Sequence, residues 1–324
     1  MRNKAMAMIV TLASLVLSLG FAQDIRVDGS STVYPISLAL AEDFQIINPE
    51  SRVTVAFSGT GAGFEKFCRG ETDVSGASRP ITQGEVDLCA QNGIEFVELP
   101  VAADGLSVVV NTQNDWVECV SVDELNAIWM PGSSVTTWQD VRADWPDQEI
   151  VLYGAGTDSG TFDYFTEAIN GESGAIRTDF FPSEDDNVLV QGVSGGVNTM
   201  GFFGFAYYVE NQDRLKLLGV DGGGGCIQPS PETIAGNTYT PLSRPMFLYF
   251  NTERLQSNDT LRAFAEFTVS ADAEPLIADT GYLSYPPEVY DAAAERLADL
   301  VTGSAFLTFE PGDSVLDAVR SAGN

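Results

Sequence analysis

The chain has 324 residues, with 46 Asp and Glu against 16 Lys and Arg and a formal net charge of −30. That acidity argues against nucleic acid as a partner, because a phosphate backbone is held by Lys and Arg. There is no histidine, so a Ser-His-Asp triad and histidine-ligated zinc are excluded, and no Gly-Lys-Ser/Thr phosphate loop occurs.

Residues 1–22 read as an export signal: Arg2 and Lys4, an apolar run from Ala5 to Leu19, then Gly20-Phe21-Ala22 as a small-residue cleavage site. Its removal takes two cations and moves the net charge from −30 to −32. No cysteine stands immediately after the signal, so lipid attachment by that route is not expected, and no later stretch is long and apolar enough to span a bilayer. The mature protein is expected to be soluble and periplasmic or extracellular, with room for two domains of ordinary size.

From residue 24 onward, short β-rich runs alternate with helical ones. Strands are predicted at 25–27, 53–57, 74–77 and 94–101, with helices at 33–47, 63–69 and 83–91 between them. A strand at 106–110 follows, then a helix at 122–129, the 138–145 segment and a strand at 150–153. The aromatic run 200–208 contains Gly201 and Gly204, which suggest close backbone packing. A strand at 246–250 leads to a helix at 259–270 and a terminal helical region. This rhythm predicts an α/β layout with a mostly parallel sheet.

Three of the strand-to-helix turns share one chemistry. Asp28-Gly29-Ser30-Ser31-Thr32 precedes a helix with Val33, Ile36, Leu40, Phe44 and Ile47 on one face and Pro35 in its first turn. Ser58-Gly59-Thr60-Gly61-Ala62-Gly63 precedes Phe64 and Phe67. Gly154-Ala155-Gly156-Thr157-Asp158-Ser159-Gly160-Thr161 precedes Phe162, Phe165 and Ile169. A helix start exposes unpaired N–H groups and the positive end of the macrodipole, and small hydroxylated residues let a ligand approach. One such turn is explained by ordinary capping; three predict helix starts converging on one anion. The net charge does not oppose this, since distant surface charge is screened over roughly 8–10 Å.

Cys68, Cys89, Cys119 and Cys226 are even in number in an exported chain, so disulfides are expected, with three pairings possible. Cys68–Cys89 closes a local loop between two predicted helices, and Cys119–Cys226 is then the second bond. A carboxylate-only metal site through Glu184, Asp185 and Asp186 is conceivable, but such a run is ordinarily solvated and no metal or cofactor is expected. A Ser–Lys hydrolase would need Lys66 or Lys216 beside a serine, and neither lies in a recognisable motif.

The chain resembles the periplasmic phosphate-binding proteins of phosphate ABC importers, of the type II periplasmic binding protein family. The resemblance is carried by Gly29-Ser30-Ser31-Thr32-Val33-Tyr34-Pro35, the 58–64 turn, Asp73-Val74-Ser75-Gly76-Ala77-Ser78-Arg79-Pro80-Ile81 and Asp158-Ser159-Gly160-Thr161. The 201–208 stretch and Ser243-Arg244-Pro245-Met246 add to it, and it covers essentially the whole mature chain. It implies an α/β two-lobed periplasmic-binding-protein fold, each lobe a central β-sheet flanked by helices, with the ligand in the interlobe cleft. Lobe I would comprise 23–104 and 246–324 and lobe II 105–245, with crossovers near Asp104–Gly105 and Pro245–Met246.

The resemblance carries phosphate-binding roles to Ser31, Thr32, Thr60, Gly61, Ser159, Gly160 and Thr161. Two positions depart from the family pattern. Arg79 stands where well-known members place the aspartate that accepts the phosphate proton, and Ala155 stands where they place an arginine. The positive partner is therefore expected at Arg79, whose guanidinium offers paired donors to two oxygens. Asp158 becomes the first candidate for proton acceptor, with Asp73 behind it. The implied function is capture of inorganic phosphate by a monomer for an ABC permease in the membrane, without catalysis. The alternatives are another tetrahedral oxyanion (sulfate or molybdate), a secreted phosphatase, and an adhesion protein built on the same fold.

Overall fold

The computed structural model describes residues 24–157, 159–310 and 312–321. Its first part runs β1 (Asp24–Gly29), α1 (Tyr34–Ile47), β2 (Arg52–Val55), α2 (Thr60–Cys68), β3 (Val74–Ala77), α3 (Gln83–Gln91) and β4 (Phe96–Asn111). The middle part follows as β5 (Cys119–Ser121), α4 (Val122–Trp129), α5 (Trp138–Val141), β6 (Val151–Ala155), α6 (Gly160–Asn170), β7 (Phe181–Ser183), α7 (Asp186–Ser194), β8 (Thr199–Gly204) and α8 (Phe205–Glu210). Then come β9 (Leu215–Leu217), β10 (Gly219–Asp221), β11 (Cys226–Ile227), α9 (Pro231–Ala235) and β12 (Ser243–Asn251). Helices α10 (Thr252–Ser257), α11 (Asp259–Thr268), α12 (Ala273–Asp279), α13 (Pro287–Ala298) and α14 (Val315–Arg320) close the chain.

The fold is α/β and two-lobed, and one continuous sheet serves both lobes. Among the described residues its order is β2-β1-β3-β12-β4-β8-β6-β7, with β9 added beside β4. β1 pairs in parallel with β2 and β3, and β6 in parallel with β7 and β8. Between these parallel groups run two long antiparallel strands. β12 pairs with β4 from Phe96 to Gly105, and β8 pairs with β4 from Leu106 to Val110.

The separate strands predicted at 94–101 and 106–110 are thus one strand, buried along its whole length. Asp104–Gly105 reads locally as a turn. It stays extended because Ser243 and Arg244 of β12 carry the ladder past it. The Pro100 gap in the donor row is absorbed by a register shift between Met246 and Phe247.

A small sheet, β11-β10-β5, lies apart from the main one. The Cys119–Cys226 disulfide joins its outer strands across β10, and a Cβ on Gly219 of β10 would stand 2.3 Å from Cys226 Sγ. Cys68–Cys89 ties α2 to α3, so both expected pairings are present. Of the two glycines of the aromatic run, Gly201 is closely packed, since a Cβ there would lie 2.7 Å from Val193 and 2.9 Å from the Tyr153 carbonyl, whereas a Cβ on Gly204 would meet nothing nearer than Tyr207 at 3.9 Å. No helix among the described residues is long and apolar enough to cross a membrane.

Candidate functional site

The first two turns are pressed together by backbone. Ser58 and Gly59 both donate their N–H to the Gly29 carbonyl, at 3.0 and 2.9 Å. A Cβ on Gly63 would lie 2.5 Å from Gly29 Cα, so α2 packs against the end of β1 with no room for a side chain. Asp28 holds the same junction from below, accepting from the Gly29 N–H at 2.7 Å, the Ser58 hydroxyl at 2.8 Å and the Lys66 ammonium. Burial alone would raise its carboxyl, but these donors outweigh burial and keep it below the ordinary value. The third turn arrives from the other side, where a Cβ on Gly160 would sit 2.5 Å from Thr32 Oγ1.

The helix starts differ in how they are capped. Neither α1, with Val33 as N-cap, nor α2, with Gly59 at φ 92°, has a side-chain cap. In α1 the Tyr34 N–H already donates to the Ser30 carbonyl at 3.0 Å and Pro35 has no N–H, so the leading N–H groups left for another acceptor are chiefly those of α2. α6 is capped by Ser159, whose Oγ accepts from the Thr161 N–H at 3.2 Å and keeps its own proton to donate.

A cavity of about 510 Å³ opens between these turns, and Ser31, Thr32, Thr60, Gly61 and Arg79 all line it. Ser159, Gly160 and Thr161 do not line it; of the three, Gly160 packs against the lining residue Thr32. Asp158 lies outside the described residues. Asp73 is not in the wall: it accepts from the Arg26 N–H at 2.9 Å and faces Arg254 at 3.7 Å, at the far end of β3.

Arg79 lines the cavity, yet its fork points elsewhere. Nη1 and Nη2 donate to Glu85 Oε2 and Oε1 at 2.9 and 2.8 Å, and Nη1 also donates to the Pro80 carbonyl at 3.0 Å. The Nη1/Nη2 pair of donors is therefore taken up by a carboxylate of the protein itself, while Nε donates to no described residue.

Sequence reasoning missed Arg244, which also lines the cavity. It stands on β12 opposite Asp104 of β4. Nε and Nη2 each donate to Asp104 Oδ2 at 3.2 Å, Nη2 donates to Thr32 Oγ1 at 3.3 Å, and the guanidinium lies 3.7 Å over the Tyr164 ring. Its Nη1 donates to no described residue. Burial pushes the Asp104 carboxyl up against the pull of Arg244. Ser30, Ser78 and Ser243 add hydroxyls to the wall, and Ser78 Oγ lies 3.2 Å from Thr60 Oγ1. The available signal for Arg244 was the Ser243-Arg244-Pro245-Met246 motif, but a crossover motif does not say which way its arginine faces.

No cluster of His, Cys, Asp or Glu among the described residues is arranged to hold a metal ion. In the acidic run, burial, Asp185 and Glu184 together raise the Asp186 carboxyl to about 6.

A two-lobed sheet crossed by two strands, with hydroxyls, helix starts and the Arg244 guanidinium facing one cleft, defines a class of binding protein with the ligand between its lobes. A family model described as "PBP superfamily domain" matches residues 20–272. Protein SphX of Synechocystis sp. is 46% identical over 298 residues, covering 91% of this chain and 87% of that one. The phosphate-binding protein PstS of Staphylococcus saprophyticus is 36% identical over 279 residues, covering 86% and 85%. A crystal structure described as a possible phosphate binding protein from Planctomyces limnophilus is 47% identical with a TM-score of 0.82, covering 86% of this chain and 99% of that one. The chain belongs to the PBP superfamily, in the family that contains the PstS phosphate-binding proteins.

Proposed function

We propose that this protein captures inorganic phosphate between its lobes and delivers it to an ABC-type permease in the membrane, acting as a monomer outside the cytoplasm after loss of an export signal at 1–22. The observation that carries the reading is the convergence of Ser31, Thr32, Thr60, Gly61, Arg79 and Arg244 on one cavity, with α6 closing against Thr32. The phosphate-binding relatives support the choice of anion. In this reading, the lobes divide into 23–104 with 246–324 and 105–245. Arg244 Nη1 is the main cationic donor, Ser159 and Thr161 contribute from α6, and Asp158 accepts the phosphate proton. Binding residues on both lobes let the ligand favour the closed form, which the permease then reads.

No reaction is part of this proposal. Both lysines of the described chain face carboxylates, Lys66 with Asp28 and Lys216 with Glu118, so neither is poised to activate a serine. Calorimetry of ligand-stripped mature protein against phosphate, sulfate and molybdate tests the reading. Tight binding of phosphate with weak binding of the other two is expected, and sulfate or molybdate bound more tightly than phosphate would replace it. Asp158→Asn in the same titration is expected to narrow the gap between phosphate and sulfate, because an amide can donate to an unprotonated oxygen.

A further inference from the structure

Arg79 reaches the cleft wall with its charge already engaged. Of its five N–H groups, three are spent on Glu85 and the Pro80 carbonyl. Its plane lies over the Phe64 ring at 5.8 Å, and Phe64 is itself fully buried against Tyr249. Glu85 is equally fixed. Its Oε2 accepts from the Thr82 N–H at 2.8 Å and the Thr82 hydroxyl at 2.9 Å, in a capping box that starts α3. The Glu85 side chain is only 15% exposed. Burial would raise its carboxyl, but Arg79 and Thr82 hold it below the ordinary range, so it stays charged at neutral pH.

This arrangement matters because the donors in the cleft are of two kinds. The hydroxyls of Ser31, Thr32, Thr60 and Ser78 can donate or accept, whereas a guanidinium only donates. An oxyanion that keeps a proton needs an acceptor in the site, and one without a proton is satisfied by donors alone. Freeing the Nη1/Nη2 edge would add two parallel donors to the Nε and second Nη2 hydrogens already unspent, and so favour unprotonated dianions. We infer that Glu85 is a specificity-determining residue that touches no ligand: by occupying the Nη1/Nη2 edge of Arg79, it leaves only the Nε/Nη2 edge for the cleft and biases the site toward protonated phosphate and against sulfate.

The inference rests on the phosphate-capture reading, and the experiment separates the two. Wild type, Glu85→Gln, Glu85→Asp and Thr82→Ala are each stripped of ligand and titrated calorimetrically with phosphate and with sulfate at neutral pH. Glu85→Gln removes the charge that holds the fork. Glu85→Asp withdraws the carboxylate by one methylene, and serves if the first variant does not fold. Thr82→Ala weakens the same capping box while leaving the Arg79–Glu85 pair. Either Glu85 variant is expected to bring the sulfate and phosphate dissociation constants about tenfold closer, the scale of one charge-assisted hydrogen bond. Thr82→Ala should melt earlier with the ratio unchanged. An unaltered ratio in a folded Glu85 variant, or an equal change in Thr82→Ala, overturns the role of Glu85 alone. A wild-type protein that binds no phosphate overturns the parent reading and this one with it.

Discussion

The hydroxyl of Tyr249 accepts a hydrogen bond from the Ile81 N–H at 2.9 Å and donates one to Glu98 Oε1 at 2.7 Å. Ile81 lies two residues beyond Arg79. Glu98 also accepts from the Ser304 hydroxyl and the Ala305 N–H, both at 2.8 Å. The pair therefore links the cleft loop to the C-terminal segment through a fully buried path. Tyr249→Phe leaves the Ile81 N–H without its partner and removes one donor from Glu98. It should lower stability by about 1–3 kcal/mol, the usual cost of a buried unpaired group. Urea unfolding checks the loss, and calorimetry should show weaker phosphate binding as the Arg79 loop loosens.

Arg244 and Asp104 form a buried pair whose two duties can be separated. Arg244→Gln should raise the phosphate dissociation constant by about ten- to a hundredfold. It should also destabilise by about 3 kcal/mol, because Asp104 is left buried without its cation. Adding Asp104→Asn should restore much of the stability and none of the affinity. Denaturation and titration of the single and double variants test this.

The three turns are expected to serve one binding event. Thr32→Val, Thr60→Val and Thr161→Val should each weaken phosphate binding, with about 1.5–3 kcal/mol lost per hydrogen bond to a charged group. The fold should survive all three changes. If two of the three bind as tightly as wild type, the convergence has no functional meaning.

The disulfides close loops of very different length, with sequence separations of 21 and 107. Chain entropy alone predicts about 3 kcal/mol from Cys68–Cys89 and about 5 kcal/mol from Cys119–Cys226. Paired Cys→Ser variants should therefore lose more stability at Cys119/Cys226 in urea unfolding. The reverse order would mean that native packing or residual unfolded-state structure outweighs loop entropy.

Asp186 should make stability depend on pH. Burial, with Asp185 and Glu184 nearby, raises its carboxyl from 3.8 to about 6. A raised acid holds its proton more tightly when folded. Its contribution is complete below the unfolded value and is lost as pH rises through about 6. Asp186→Asn should remove that slope and melt later than wild type at neutral pH, by about 1 kcal/mol because the side chain is only partly buried. The two proteins should converge near pH 4, as thermal melts across this range would show.

The sequence by itself determined what is written locally. The small hydroxylated turns at 28–32, 58–63 and 154–161 were legible because glycine, serine and threonine between a strand and a helix have a direct physical meaning. The α/β rhythm was legible from hydrophobic periodicity, and the Cys68–Cys89 bond from its short loop. Tertiary structure decided the rest. Asp104–Gly105 looks like a turn until β12 pairs across it. Arg244 meets Asp104 across 140 residues of chain, and it meets Thr32 across 212. Arg79 looks like a ligand-facing guanidinium until Glu85, six residues on, closes its fork. Composition and spacing report which donors a chain possesses. The direction in which each one points follows from strand register and from the carboxylate that reaches it first, and both are set only when distant segments pack together.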